Sequence, residues 1–530
     1  MSAPKTIPDL SRTIPGVLAD TARKYPDYLA VAEPHRRLTY AELFALVERA
    51  AAAYVAAGVE PGDRVSIWAP NGLDWIVSAV GAQAAGAAIS PINTRFKREE
   101  AAYVLNRSRS KLLMVGDKFL GVDYPAMLKG AELPHLQRMV RLDTTESAPG
   151  DWDAFLDAAT PEHLAEARRR MAALKPTDIS DVMYTSGTTG DPKGVVTNHG
   201  QNVAVYQAWG DAAGVKAGDR FAILWPFFHC SGYKSGVLSS LIFGMAIYPV
   251  LTLDPPRLLE LIEQESITVM PGPPTLFQTL LETPEASRIA LKTLRVSVTG
   301  AASVAPSLIE RMRGELVIDN VLVAYGLTET CGTVTLTNAG DDPETVATTV
   351  GRAMDGVEIR IVDPVSGKDL PTGEAGEIWV RGFNVMQRFD DSPEETAKVI
   401  DADGWLATGD VGKLDARGYL AITDRLKEVY IVGGFNCYPA EIEKIMARNL
   451  DYAQIAVIGV EDERMGEVGK AFIVPAAGAS LTPQAVIAWC KAEMANFKTP
   501  RYVELVDSLP RNPTGKVQKF RLDKTPRSAG

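Results

Sequence analysis

Between Thr39 and Ala302 the chain alternates between two hydrophobic periods, and that alternation limits the folds open to it. Thr39 and Glu42 have the spacing of a capping box ahead of ELFALVERAAAAYVAAG. Within that run Leu43, Leu46, Val47 and Ala50 fall on one helical face. The strand-like RVSIWAP follows, then Leu73, Ile76, Val77 and Val80 return to helical spacing, and AAISPIN is again a short apolar run. The same texture recurs at RFAILWPF, SITVMPG and LRVSVTGAA. Helices interleaved with short buried strands predict an α/β fold with largely parallel sheets. At 530 residues the chain exceeds what one core fills, so roughly two to four domains are expected.

From about residue 350 the texture changes. VEIRIVD, GEIWVRG and YLAITDR alternate between apolar and polar residues, with Gly-, Pro- and Asp-rich turns between them, which predicts antiparallel strands. After Asp424 come a helix at YPAEIEKIMAR with Pro439 in its first turn, strands at IAVIGV and AFIVP, a helix at TPQAVIAWCKAEMA and a strand at YVELV. That order makes a small α+β domain. The expected architecture is a large multi-subdomain N-terminal domain (1–423) with stacked mixed sheets and a β-rich subdomain. A joint at 424–428 and a small α+β C-terminal domain (429–530) complete it.

The net charge of −11 argues against nucleic acid and anionic membrane as partners, since both reward basic patches. An anionic ligand must then be held by local geometry rather than by the overall field. The four cysteines have no paired spacing and the five histidines form no HExxH cluster, so neither a disulfide framework nor a structural zinc site is expected. MSAPKTIPDL has no apolar core of a signal peptide, and a cytoplasmic location is expected. The charge-free run GVLSSLIFGMAIYPVLTL (236–253) has the length of a membrane span, but Gly244, Pro249 and two serines predict a buried helix, a turn and a buried strand instead.

The segment YTSGTTGDPKG (184–194) carries the chemistry. Glycine-rich turns need no function. A phosphate site, however, wants this mixture of freed backbone N–H groups, hydroxyls and one cation. Strand-like DISDVMY and VVTN flank it, so it reads as strand–loop–strand. A nucleotide P-loop is strand–loop–helix with GxxxxGK[ST], whereas here Pro192 precedes Lys193 and Gly194 replaces the hydroxyl residue. Neither a dinucleotide fingerprint nor a G-x-S-x-G elbow occurs.

YTSGTTGDPKG resembles the signature loop of the adenylate-forming (ANL) enzymes, the superfamily of acyl-CoA synthetases, adenylation domains and beetle luciferases. In that family's order follow VTGAA (298–302), AYGLTET (324–330), GWLATGD (404–410), DRLKE (424–428), GGFNCYPAEIE (433–443) and PRNPTGK (510–516). The resemblance implies a ligase that consumes ATP and coenzyme A and uses Mg2+ as a cofactor, with a small mobile C-terminal domain. Thr185, Ser186, Gly187, Thr188, Thr189, Gly190 and Lys193 would hold the β- and γ-phosphates. Thr328 would touch the α-phosphate and Glu329 would hold Mg2+, although an acid in that place also suits a helix cap. Gly300, Ala301 and Ala302 would admit adenine against backbone, and Tyr325, beside Gly326, would stack on it. Asp410 would accept both ribose hydroxyls and Arg425 would make the second ribose contact; each alone would read as a surface ion pair. Lys516 would bridge the substrate carboxylate and the α-phosphate, carried there by the mobile domain about a hinge at Lys427. Gly433 and Gly434 would leave room for the pantetheine arm.

By the same resemblance WPFFHCSGYKSG (225–236) lines the acyl pocket, with His229, Cys230, Tyr233 and, after AYGLTET, Cys331. His229 reads equally as a gate and as a core histidine, and Tyr233 and Lys234 as pocket or surface. Gly232 and Gly236 with Ser231 and Ser235 imply room for a bulky acid. PFFHCSGYKSG, GPPTLFQ and NFKTPR are similar to bacterial acyl-CoA synthetases, including enzymes that activate a propanoate side chain left from steroid ring degradation. That parallel implies a cyclic or branched acid, with medium-chain fatty acids next. A stand-alone enzyme loading a carrier-protein thiol and a non-catalytic acyl-adenylate sensor are the alternatives. No carrier domain is visible after Lys516, and every charged position the chemistry needs is present. The partners implied are a small carboxylic acid, ATP and CoA, with a homodimer carried as one candidate assembly.

Overall fold

The alternating periods of the first half become a seven-stranded sheet in the computed structural model. It describes residues 8–142, 151–185, 192–272, 274–283, 293–299, 306–425, 428, 430–432, 435–437, 439–462, 465–494, 496–511 and 517–526. In spatial order the strands are Arg388–Phe389, Lys193–Asn198, Ile179–Thr185, Ala88–Pro91, Arg64–Trp68, Leu112–Gly116 and Arg138–Leu142. From Ile179–Thr185 to Arg138–Leu142 every pairing is parallel. Lys193–Asn198 runs antiparallel to both its neighbours. The sheet is thus mixed, because a short loop joins two strands only as an antiparallel pair; a parallel return needs a crossover of about a dozen residues.

The capping box forms as read: the Thr39 N–H donates to Glu42 Oε2 at 2.7 Å and the Glu42 N–H to Thr39 Oγ1 at 3.3 Å. Its helix, Tyr40–Ala56, packs on Leu73–Ala84, every residue of which is buried. A β-carbon on Gly81 would lie 2.7 Å from the Ala50 methyl, so the pair of small residues sets how closely the helices approach.

Two four-stranded sheets complete this part. One orders Arg220–Ile223, Ala246–Pro249, Leu29–Ala32 and Arg37–Thr39; the other Val296–Thr299, Asn320–Tyr325, Thr335–Leu336 and Arg352–Ala353. SITVMPG, read as a strand, lies between Arg220–Ile223 and Val296–Thr299: Val269 bridges Phe221 and Val296, and the Met270 and Gly272 N–H groups donate to the Val296 and Val298 carbonyls at 3.1 and 3.0 Å. Pro271, between them, has no N–H to give the Arg220–Ile223 side. The run 236–253 resolves into the end of a π-helix (Ser231–Leu238), an α-helix (Ser239–Phe243), Gly244 at φ 76° and the strand Ala246–Pro249. No helix among the described residues is long and apolar enough to cross a membrane.

Packing divides the chain into two compact units. One comprises Met1–Gly300, Val304–Glu358 and Arg381–Leu406; the other takes in Ile359–Val380 and Ala407–Gly530. The second holds most of a sheet of Val357–Val362, Gly376–Gly382, Leu406–Leu414 and Leu420–Arg425, strands whose outermost residues 357–358, 381–382 and 406 belong to the first unit; these include segments whose alternation the sequence displays. Beyond it Gly466–Pro475 pairs with Tyr452–Asp462 and, in parallel, with Tyr502–Leu505. The helices Pro439–Met446 and Pro483–Glu493 contribute Ile442, Met446, Val486 and Cys490 to a core shared with Tyr430, Ala456 and Phe472. Nearly buried Lys470 donates to the carbonyls of Asp523 at 2.9 Å and Thr525 at 3.0 Å, which ties the end of the described chain to this sheet.

One expectation is corrected by packing. Gly232 and Gly236 do not open space for a substrate. A β-carbon on Gly232 would overlap the carbonyls of Trp225 and Pro226, and one on Gly236 would lie 2.8 Å from Ile223. Both glycines let the π-helix press against the chain leaving Arg220–Ile223. Gly232→Ala is expected to lower the melting temperature by about 1–4 °C, the consequence of an overpacking cost of about 1–3 kcal/mol in a unit this large. Gly314→Ala, with no neighbour within 4 Å of its β-carbon, should leave the melt nearly unchanged. Equal shifts in the two variants would contradict the close approach.

Candidate active site

The hairpin is the first part of the site. Its strands hold Thr185 and Lys193 directly opposite each other. Thr185 Oγ1 reaches the Lys193 carbonyl at 3.5 Å. Gly194 is required by packing, since a β-carbon would lie 2.8 Å from Val182 and 3.1 Å from Asp390. That is why glycine stands where a P-loop has a hydroxyl. Lys193 pairs with the Glu395 carboxylate and lies 5.2 Å from the centre of the Phe389 ring. Hydrogen bonds from Lys193 and Lys398 hold Glu395 down at about 2. Ser186, Gly187, Thr188, Thr189 and Gly190 fall outside the described residues.

AYGLTET ends the strand Asn320–Tyr325 and enters a short 3-10 turn, Thr328–Thr330. The turn closes on itself: Thr330 Oγ1 accepts from the Leu327 N–H at 2.9 Å and donates to the Leu327 carbonyl at 3.0 Å. Gly326 must be glycine because a β-carbon would overlap the Gly332 carbonyl. Cys331 (φ 55°) and Gly332 (φ 99°) then reverse the chain. Thr328 and Glu329 are half-buried. The Glu329 carbonyl accepts from the Met386 N–H at 2.8 Å, so its backbone is anchored independently of its carboxylate. Gly300, Ala301 and Ala302 fall outside the described residues, whereas Tyr325 ends its strand opposite Thr335.

The segment 229–233 meets this turn. Cys230 Cβ and Sγ would both lie 3.3 Å from a β-carbon on Gly332. The Tyr206 hydroxyl donates a hydrogen bond to the Cys331 carbonyl at 2.9 Å. His229, half-buried, places Nδ1 3.1 Å from Ser231 Oγ and 3.6 Å from Cys230 Sγ. Burial acts to raise the Cys230 thiol, but the His229 imidazole, helped by Lys234, outweighs it and holds the thiol below its usual range. The Cys230 sulfur in turn makes the His229 ring more basic than usual, against its own burial. Cys331 is pushed by burial up to about 12.

Neither Tyr233 nor Lys234 is a surface residue. Tyr233 is fully buried and donates to Gln83 Oε1 at 2.9 Å. Lys234, 1% exposed, forms an ion pair at 2.9 Å with Asp181, which is 0% exposed. Sequence reasoning missed Asp181, yet a signal existed. Lys234 is the single Lys, Arg, Asp or Glu between Arg220 and Asp254, and Asp181 stands inside an apolar strand. Two isolated opposite charges in two buried runs have few partners but each other.

In the second unit, Asp410 is nearly buried and stands opposite Arg425 across the strand pair Leu406–Leu414 and Leu420–Arg425. The Asp410 N–H donates to Thr408 Oγ1 at 3.1 Å. The register therefore joins two residues that sit in separate motifs. Lys427, Gly433, Gly434 and Lys516 fall outside the described residues.

Comparison with known proteins agrees with these motifs. Residues 18–389 match the family model described as AMP-binding enzyme, and residues 441–516 the model of the AMP-binding enzyme C-terminal domain. A protein of Rhodococcus jostii (strain RHA1), named as the CoA ligase of a 3-(7a-methyl-1,5-dioxo-octahydro-1H-inden-4-yl)propanoyl group, is 48% identical over 513 residues, which span 96% of this chain and 97% of that one. Its namesake from Mycobacterium tuberculosis is 47% identical over 511 residues, spanning 96% and 98%. Among solved structures, ATP-bound MatB from Rhodopseudomonas palustris has a TM-score of 0.86 at 29% identity, covering 96% of this chain and 98% of that one.

The contrast between the two thiols can be measured. Both thiols are buried, Cys230 at 5% exposure and Cys331 at 0%, so in native protein iodoacetamide is expected to modify each more slowly than an exposed thiol, and Cys230 before Cys331. Peptide mapping that finds equal labelling of the two would refute this electrostatic reading.

Proposed function

We propose that this chain, which belongs to the AMP-binding enzyme family and is an AMP-forming carboxylic acid:CoA ligase, activates the propanoate side chain of a fused-ring, ketone-bearing acid. The observation that carries the substrate is the 48% and 47% identity, each over 96% of the chain, to two ligases named for one such acid.

In the first half-reaction of such a ligase a carboxylate oxygen attacks the α-phosphorus of ATP. A mixed anhydride forms and pyrophosphate leaves. In the second, the CoA thiolate attacks the acyl carbonyl carbon and AMP leaves. The first step forces two anions together, so oriented donors and positive charge must be ready where charge gathers. We assign Thr185, Lys193 and the loop residues 186–190 to the β- and γ-phosphates. Lys193 is already held in place by Glu395, and an arriving triphosphate would compete for it with that carboxylate. Thr328 is assigned to the α-phosphate, Asp410 and Arg425 to the ribose, and Tyr325 with Gly326 and residues 300–302 to the adenine. Gly433 and Gly434 are assigned to the pantetheine arm. A hinge at Lys427, between domains 1–423 and 429–530, belongs to the same proposal.

Mg2+ fits the residues present. Among the described residues no group of three or more His, Cys, Asp or Glu side chains is arranged to hold a metal. A cation that binds one carboxylate and completes its shell with phosphate oxygens and water needs no such group. Glu329, half-buried with its backbone pinned, would hold it. When bound, the ion neutralises phosphate charge.

Two measurements test the proposal. Pyrophosphate release with a panel of acids in the presence of CoA should give a kcat/KM for the fused-ring propanoate at least about tenfold above that for octanoate. A preference for the linear acid would overturn the substrate assignment. Lys516→Ala should lose adenylation by about 100-fold or more, the scale of removing one preorganised donor, while still turning supplied acyl-adenylate and CoA into thioester. Equal loss of both steps would contradict the role given to Lys516.

A further inference from the structure

Behind the segment assigned to the acyl pocket lies a buried polar network that the adenylation chemistry does not use. The Asp181 carboxylate is saturated. Its Oδ1 accepts from Lys234 Nζ at 2.9 Å and from Thr197 Oγ1 at 2.9 Å. Its Oδ2 accepts from Ser180 Oγ at 2.7 Å and from Asn202 Nδ2 at 2.7 Å. Lys234 Nζ also donates to Thr197 Oγ1 at 3.1 Å. The next residue back makes a second link. Tyr233 donates to Gln83 Oε1 at 2.9 Å, and Gln83 Nε2 donates to the Ser180 carbonyl at 3.0 Å. Consecutive side chains of the π-helix, 233 and 234, thus end on consecutive residues of one strand, 180 and 181.

We propose that these two tethers lock the acyl wall to the phosphate hairpin and thereby determine which acids the enzyme accepts. The inference rests on the assignment of residues 225–236 to the acyl site. Three observations support it. Asp181 lies four residues before Thr185 and Thr197 four after Lys193, so both anchor points sit on the strands that carry the phosphate loop. Lys234 and Tyr233 lie just beyond His229 and Cys230, the residues that meet the 328–332 turn. The wall is also a π-helix, Ser231–Leu238, a winding less favourable than the α form and uncommon away from functional sites. Rewinding it would swing residues 229–233 relative to the hairpin, and the tethers oppose that. A well-packed apolar pair would stabilise a core as well as a buried ion pair does, so stability by itself does not account for this one. Direction and registry are what a charged pair adds.

The test compares wild type with Lys234→Met/Asp181→Asn, which removes both charges while keeping shape, and with Tyr233→Phe, which removes one hydroxyl. Each is assayed with whichever acid wild type prefers and with hexanoate, so an error in the proposed substrate leaves the comparison intact. In the folded double variant the kcat/KM ratio of preferred acid over hexanoate should fall about tenfold, through a raised KM for the preferred acid. The KM for ATP should stay within about threefold of wild type. An unchanged ratio, or a KM for ATP that rises in step with that for the acid, overturns the proposal. Should the double variant not fold, Tyr233→Phe decides. A fall of about threefold in the ratio supports the tethers, and no change overturns them.

Discussion

A carboxylate taken out of water must have its lone pairs met, and the burial of Asp181 draws four elements together to do so. Its own strand supplies Ser180, the partner strand Thr197, the following helix Asn202 and the π-helix Lys234. Leaving any of these unmade would strand charge in a low dielectric, so the network forms as a whole or not at all. The strands involved end in Thr185 and begin with Lys193, so the network lies on the same two strands as that facing pair.

Around that anchor the first unit gathers chemistry by close backbone approach rather than by charge. Gly194, Gly326 and Gly232 each stand where a β-carbon would strike a neighbour. They permit close turns within each segment, and Gly332 lets the 328–332 turn approach Cys230. A protein with a net charge of −11 has no long-range pull on a nucleotide triphosphate. What it offers is local: in the first unit a lysine paired with Glu395 and facing Thr185 across a hairpin, and, within the second unit, Asp410 and Arg425 at one register position.

Much of this was legible in the residues. The capping box at Thr39 and the helix–turn–strand reading of 236–253 follow from local rules, since caps and glycine turns depend on neighbours in sequence. The strand–loop–strand character of 179–198 follows likewise. SITVMPG pairs with a strand on each side, but over fewer residues than its apolar run, because Pro271 has no N–H for the Arg220–Ile223 side. Gly232 and Gly236 were misread because a missing side chain looks the same in sequence whether backbone or a substrate fills the gap. Asp181 and Lys234 each stand out as a lone charge in an apolar run, but that they pair with each other appears only once the chain between them is folded.

By itself the sequence determined the kind of protein: an α/β chain with a small C-terminal region, bearing the ordered motifs of an acyl-adenylating ligase. Those are properties of period, turn chemistry and short motifs, all written within a few residues. Only the tertiary structure decided that Lys234 is a buried partner of Asp181 and that Lys193 is held by Glu395. Each is a pairing between residues far apart in the chain. Such pairings are set by which surfaces pack together, and no local rule carries that information.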